Sequence, residues 1–181
     1  MRVISGTARG TVLYTLEGKN TRPTMDRVKE AMFNILQSKI YQAEVLDLFS
    51  GSGALGIEAL SRGANRVTFC DYSHQAIKII NKNLEKTKMY AKSKVLIGDF
   101  KICLEKLQNE RFDIIFLDPP YNSDFSIIAL EKINSMKLLK KDGIIVIETD
   151  DEQKMQEELQ KINANVYDLR KYGRVKLFFL N

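Results

Sequence analysis

Val45-Leu-Asp-Leu-Phe-Ser-Gly51-Ser-Gly53-Ala-Leu-Gly56 decides the fold. An apolar, β-rich run at Val45–Leu48 meets a glycine turn, and the turn opens onto Ala54–Ser61, whose apolar spacing is helical. Gly51, Gly53 and Gly56 spell G-x-G-x-x-G, in which glycine permits a tight turn and lets a ligand lie against bare backbone. The helix that follows aims its first amides at that spot. Asp71 stands 20 residues past Gly51, after the next β-rich run, where a carboxylate can grip a ribose diol.

Working outward, β-rich and helical segments alternate. Strands are expected at Val67–Cys70, Lys94–Ile97, Asp113–Leu117 and Gly143–Thr149. Helices are expected at Ser73–Lys86, Phe100–Gln108, Phe125–Leu138 and Asp150–Lys161. That alternation is the signature of a parallel sheet covered on both faces. Continuous runs such as Ile114–Leu117 suit strands buried on both sides. Two last strands, Asn165–Leu169 and Val175–Leu180, are joined by about five residues, too few for a parallel crossover, so they must form an antiparallel hairpin. At the other end, 2–5 and 11–16 can pair across Gly6–Gly10, and Thr24 can cap a helix running to Gln37.

Composition narrows the chemistry. The 181 residues suit one domain. One histidine, His74, excludes a multi-histidine metal site, and no metal is expected. Cys70 and Cys103 lie 33 residues apart with no C-x-x-C, which reads as two buried thiols rather than a disulfide framework. The longest apolar runs are four residues against the ~20 that span a bilayer. Arg2, Arg9, Glu17 and Lys19 leave no apolar core for a signal peptide, so a cytoplasmic protein is expected. The net charge is +5; residues 1–30 hold six basic and three acidic side chains, which favours an anionic partner.

The glycine turn suits a dinucleotide as well as S-adenosylmethionine (AdoMet). Asp47 separates the two. A carboxylate at the mouth of the first strand suits the sulfonium and ammonium of AdoMet better than the two phosphates of NAD. A second motif, Phe112-Asp-Ile-Ile-Phe-Leu-Asp118-Pro119-Pro120-Tyr121, ends the fourth strand at the sheet edge where open α/β folds bind ligands. The prolines remove two amide donors, so carbonyls there are expected to be free for a substrate. Asp118 adds an acceptor and Tyr121 a flat ring. Two acceptors beside an aromatic ring can hold the exocyclic amine of an unstacked base and aim its nitrogen at a methyl donor.

These motifs resemble class I AdoMet-dependent methyltransferases with a D-P-P-Y motif. More narrowly the chain is similar to the bacterial 16S rRNA guanine-N2 methyltransferase family of RsmD type. The likeness rests on MRVISGTARG at 1–10, TRPTMDRVKEAMFNIL at 21–36, VLDLFSGSGALGIEALSRGA at 45–64, FDIIFLDPPY at 112–121, GIIVIE at 143–148 and KYGRVKLFF at 171–179.

The resemblance implies a Rossmann-like α/β class I methyltransferase, with a mostly parallel seven-stranded sheet, a C-terminal antiparallel hairpin and a small N-terminal β-hairpin extension. It implies an appendage over 1–24 that touches rRNA and a methyltransferase domain over 25–181. AdoMet would be held by Asp47, Phe49, Gly51, Ser52, Gly53, Asp71 and Asp99, with Arg22, Pro23 and Thr24 closing over it. Asp118, Pro119, Pro120 and Tyr121 would hold the target guanine. Arg2, Arg9, Lys19 and Arg22 on one side, and Arg170, Lys171 and Arg174 on the other, are the expected contacts to phosphates. The implied partner is 16S rRNA or a small-subunit assembly particle, met by a monomer. Two alternatives stay open: an amino-methyltransferase acting on adenine or cytosine in DNA, and an NAD-dependent oxidoreductase.

Overall fold

A computed structural model describes residues 1–16, 23–120 and 123–181; the side chains of 23–25 lie outside that description. Seven strands form one sheet: β1 (Glu44–Asp47), β2 (Arg66–Asp71), β3 (Ser93–Ile97), β4 (Phe112–Leu117), β5 (Leu139–Thr149), β6 (Val166–Tyr172) and β7 (Val175–Leu180). The order across the sheet is β3-β2-β1-β4-β5-β7-β6. Strands β1 to β5 run parallel, and β7 pairs antiparallel with both β5 and β6. Strand order reverses between β1 and β4, and such switch points open a crevice at the carboxyl ends of the strands.

The helices are α1 (Pro23–Ile35), α2 (Gln37–Ile40), α3 (Ala54–Ser61), α4 (His74–Lys86), α5 (Phe100–Lys106), α6 (Phe125–Ser135) and α7 (Glu152–Lys161). Strand side chains alternate between two cores. Val45, Phe69, Phe116, Val146 and Phe179 pack under α1 to α4, whereas Leu46, Cys70, Leu117, Ile147 and Phe178 pack under α5 to α7. Both faces of the central strands are thus buried, as their continuous apolar runs require. Ser73, Asp99 and Asp151 cap α4, α5 and α7 by accepting backbone amides. No helix among the described residues is long and apolar enough to cross a membrane.

Four expectations need adjusting. First, the N-terminal pairing is an isolated Arg2↔Val12 bridge with a few flanking backbone bonds, not two strands. Side-chain anchoring replaces a ladder there, and Val3 and Leu13 are buried in the same core as α1 and α3. Second, β5 begins at Leu139 rather than Gly143, because Leu139 pairs with Phe112 across an irregularity in register that carries Lys140–Asp142 into the strand. Third, the C-terminal hairpin turns at Gly173 and Arg174, so Arg170 and Lys171 are strand residues. Gly173 takes a φ of +63°, which suits so tight a reversal. Fourth, the first helix ends at Ile35 and a short second one follows.

Candidate active site

The carboxyl edge of the sheet gathers three carboxylates. Asp47 ends β1, Asp71 ends β2 and Asp118 follows β4. Asp47 is 2% exposed, and its Oδ2 accepts the Gly56 amide at 3.0 Å, so it caps the first turn of α3. Its carboxyl is pushed up to about 7, chiefly by burial and also by the negative charges of Asp118 and Asp71, while the Gly56 hydrogen bond works against them. The cluster holds more negative charge than the site comfortably ionises, a state that a cation relieves.

Asp71 shapes the turn. Its Oδ2 accepts the Gly51 amide at 2.8 Å and its Oδ1 the Ser73 amide at 2.9 Å. Gly51 and Gly53 take φ of +54° and +77°, left-handed conformations that L side chains adopt at a cost. A Cβ on Gly51 would point into open space, so it is backbone geometry, with room above it, that demands glycine here. The Ser50 hydroxyl ties the turn downward, donating to the Asp47 carbonyl at 2.6 Å and accepting the Cys70 amide at 3.0 Å. Asp99 is exposed at the start of α5, with Oδ1 accepting the Lys101 amide at 2.8 Å.

Three rings form an apolar wall beside these carboxylates. Phe49 lies 5.3 Å from Phe100 and 6.4 Å from Phe125, in the latter case nearly parallel at 10°. Phe125, 39% exposed, was not singled out from the sequence, because its spacing reads as part of the apolar face of α6. In the D-P-P-Y segment Asp118 is half-buried, Pro119 buried and Pro120 exposed. The Pro120 carbonyl is not free, since the Ser123 hydroxyl donates to it at 2.7 Å. The pair expected to hold an amine, Asp118 and the Pro119 carbonyl, does not include it. Tyr121, Lys19 and Arg22, and the side chains of Pro23 and Thr24, lie outside the described residues.

The basic residues fall into two places. Arg170, Lys171 and Arg174 flank the turn of the C-terminal hairpin. Since Thr149, at the carboxyl end of β5, pairs with Lys176 at the start of β7, that turn shares an edge with the three carboxylates. Arg170 and Lys171 are exposed and also paired, to Asp168 and Glu152. Arg2 and Arg9 are exposed on the N-terminal segment, Arg2 beside Asp26. Lys29 is different: it is buried and bonded to Glu58 at 3.1 Å and to the Arg2 carbonyl at 2.6 Å, so one of the six basic charges in 1–30 is unavailable to a partner. Among the described residues no cluster of side chains could hold a metal ion.

Fold and edge geometry together define the class: a Rossmann-like class I methyltransferase fold, with glycine turn and acidic crevice at the switch point. The chain belongs to the family described as Conserved hypothetical protein 95, whose model matches residues 1–181 and which is the RsmD family that its motifs resemble. It is 39% identical over 152 residues to ribosomal RNA small subunit methyltransferase D of Haemophilus influenzae, covering 83% of this chain and 79% of that relative. It is 40% identical over 159 residues to the candidate rRNA methyltransferase YlbH of Bacillus subtilis, covering 87% and 86%. Among solved structures, the candidate methyltransferase yhhF of Escherichia coli superposes with a TM-score of 0.84 at 28% identity, over 99% of this chain and 96% of that one.

Proposed function

We propose that this protein transfers a methyl group from AdoMet to the exocyclic N2 amine of a guanine in 16S rRNA. One observation carries the reading: Asp118 and the two prolines stand at the switch point, on the strand next to Asp47 and the glycine turn. The names of the relatives favour small-subunit rRNA over DNA as the acceptor.

The residues present fit the donor. Gly51 leaves an open, side-chain-free cradle, and the donor set around it is carboxylate rather than arginine or lysine. That chemistry suits a sulfonium and an ammonium and repels a pyrophosphate, which sets the NAD alternative aside. Asp71 has lone pairs left after accepting two amides and would take the ribose diol. Asp47 would complement the positive charge, Gly51, Ser52 and Gly53 would line the cradle, Phe49 would cover it and Asp99 would meet the adenine. When bound, AdoMet supplies an electrophilic methyl group on a positively charged sulfur.

The protein's own work is to present the amine. A guanine N2 lone pair is delocalised into the ring and is a poor nucleophile. Asp118 and the Pro119 carbonyl, one for each N–H, hold the nitrogen in line, which can lower a barrier by several kcal/mol through orientation alone. Tyr121 would replace the stacking that the base loses on leaving its helix. The methylated nitrogen is strongly acidic, so water at this edge suffices to take its proton. Arg2, Arg9, Lys19 and Arg22, with Arg170, Lys171 and Arg174 beyond the crevice, would hold the RNA backbone. Asp118→Ala tests the site: methyl transfer should fall by more than ~100-fold while S-adenosylhomocysteine still binds. Full activity in that variant would remove Asp118 from the chemistry.

A further inference from the structure

Asn83 occupies an odd place. It sits on the inward face of α4 between Ile80 and Leu84, all three 0% exposed, where another apolar side chain would continue the core. Burying an amide there is costly unless its hydrogen bonds are met. All of them are. Oδ1 accepts the Tyr14 amide at 2.8 Å, and Nδ2 donates to the Tyr14 carbonyl at 2.9 Å and to the Ser52 carbonyl at 2.9 Å. The pair of bonds to Tyr14 imitates a strand partner for the N-terminal segment. The third bond grips the glycine turn between its two left-handed glycines. Lys86, one turn on, secures the same segment by donating to the Val12 carbonyl at 2.7 Å and standing 4.6 Å over the Tyr14 ring.

Asn83 thus bonds both the 1–16 segment and the glycine turn. A shift of the Ser52 carbonyl must either carry Asn83 and Tyr14 along or leave a buried N–H unmet, which is the expensive outcome. The converse holds for a shift of the segment that bears Arg2 and Arg9. We infer that Asn83 is a positioning residue that couples the glycine turn to the N-terminal segment, so that occupation of the methyl-donor cradle and docking of rRNA strengthen one another. This rests on the function proposed above. Coupling of this kind is reciprocal and ordinarily ~5- to 150-fold in affinity.

Two measurements decide it. In the wild-type protein, hydrogen exchange at the Tyr14 amide is followed with and without saturating S-adenosylhomocysteine. The Tyr14 amide is held by the same side chain that holds the Ser52 carbonyl, so its exchange should slow by ~5-fold or more. Unchanged exchange with the ligand bound overturns the inference, whereas failure of S-adenosylhomocysteine to bind at all overturns the functional reading instead. Separately, the dissociation constant of S-adenosylhomocysteine is measured with and without small-subunit rRNA in wild type, Asn83→Ser and Asn83→Asp. The wild type should bind ~5-fold or more tightly with RNA present, and the folded variants should lose that factor whatever their RNA-free affinity. An equal factor in variant and wild type makes Asn83 structural glue and refutes the coupling.

Discussion

Asp71 accepts the Gly51 amide at 2.8 Å across 20 residues of sequence, so a carboxylate on one strand sets the shape of a turn on the next. Removing it orphans both that amide and the Ser73 amide. Asp71→Ala should therefore weaken S-adenosylhomocysteine binding at least tenfold, about 1.4 kcal/mol or more. Titration calorimetry reads this directly, and unchanged affinity would deny the carboxylate its part in the cradle.

Asp47 gives the site a pH dependence. Its carboxyl titrates at about 7 in the folded protein and near 3.8 when solvated. The folded state holds this proton more tightly, so the group's contribution to stability is full below about pH 4 and is lost as pH rises through 7. Asp47→Asn should gain on the wild type by more than about 1 kcal/mol between pH 5 and pH 7, in urea unfolding at each pH. A cationic donor favours the ionised carboxylate, so AdoMet affinity should rise between pH 6 and pH 8, more than that of S-adenosylhomocysteine with its uncharged sulfur, and the Asn variant should flatten that rise.

Glu58 is 0% exposed and accepts the Ile4 and Ser5 amides at 2.8 and 3.0 Å as well as Lys29 and Arg62. Glu58→Ala strands the buried Lys29 and two amides. It should cost about 3–5 kcal/mol. Lys29→Met should cost less, because Glu58 keeps its other partners. Equal, small losses in denaturant midpoints would show that the N-terminal segment is held mainly by Val3 and Leu13.

At Gly56 two effects oppose one another. Alanine is the better helix former by up to about 1 kcal/mol. A Cβ there would lie 2.2 Å from Cε1 of Phe69, which is fully buried and cannot swing aside. Overpacking of this kind costs about 1–3 kcal/mol, so sterics win and Gly56→Ala should lower the melting temperature. A stabilised variant would mean that α3 can move off β2.

The alternation of strand and helix, and the C-terminal hairpin, were legible because their signals are local. A glycine turn after an apolar run, a carboxylate at each strand end and Asp-Pro-Pro-Tyr each lie within about ten residues of chain. What could not be read depends on distance. Asn83 meets Tyr14 across 69 residues, and Glu58 meets Ile4 across 54. On a helix, each looks like one more polar residue turned to solvent. Ser123 closing on Pro120 is local yet equally silent, since a serine after a turn has many possible partners. Lys140-Lys141-Asp142 shows no strand pattern in sequence, and only the pairing of Leu139 with β4 draws it into a strand.

The central claim is the identity of the acceptor atom. Wild-type protein is incubated with methyl-labelled AdoMet and, in parallel, small-subunit rRNA, small-subunit particles and DNA, and the products are digested to nucleosides. Label is expected in N2-methylguanosine from the rRNA or the particle, with Asp118→Ala blank. Label in a methylated adenine or cytosine, or in DNA alone, would contradict it.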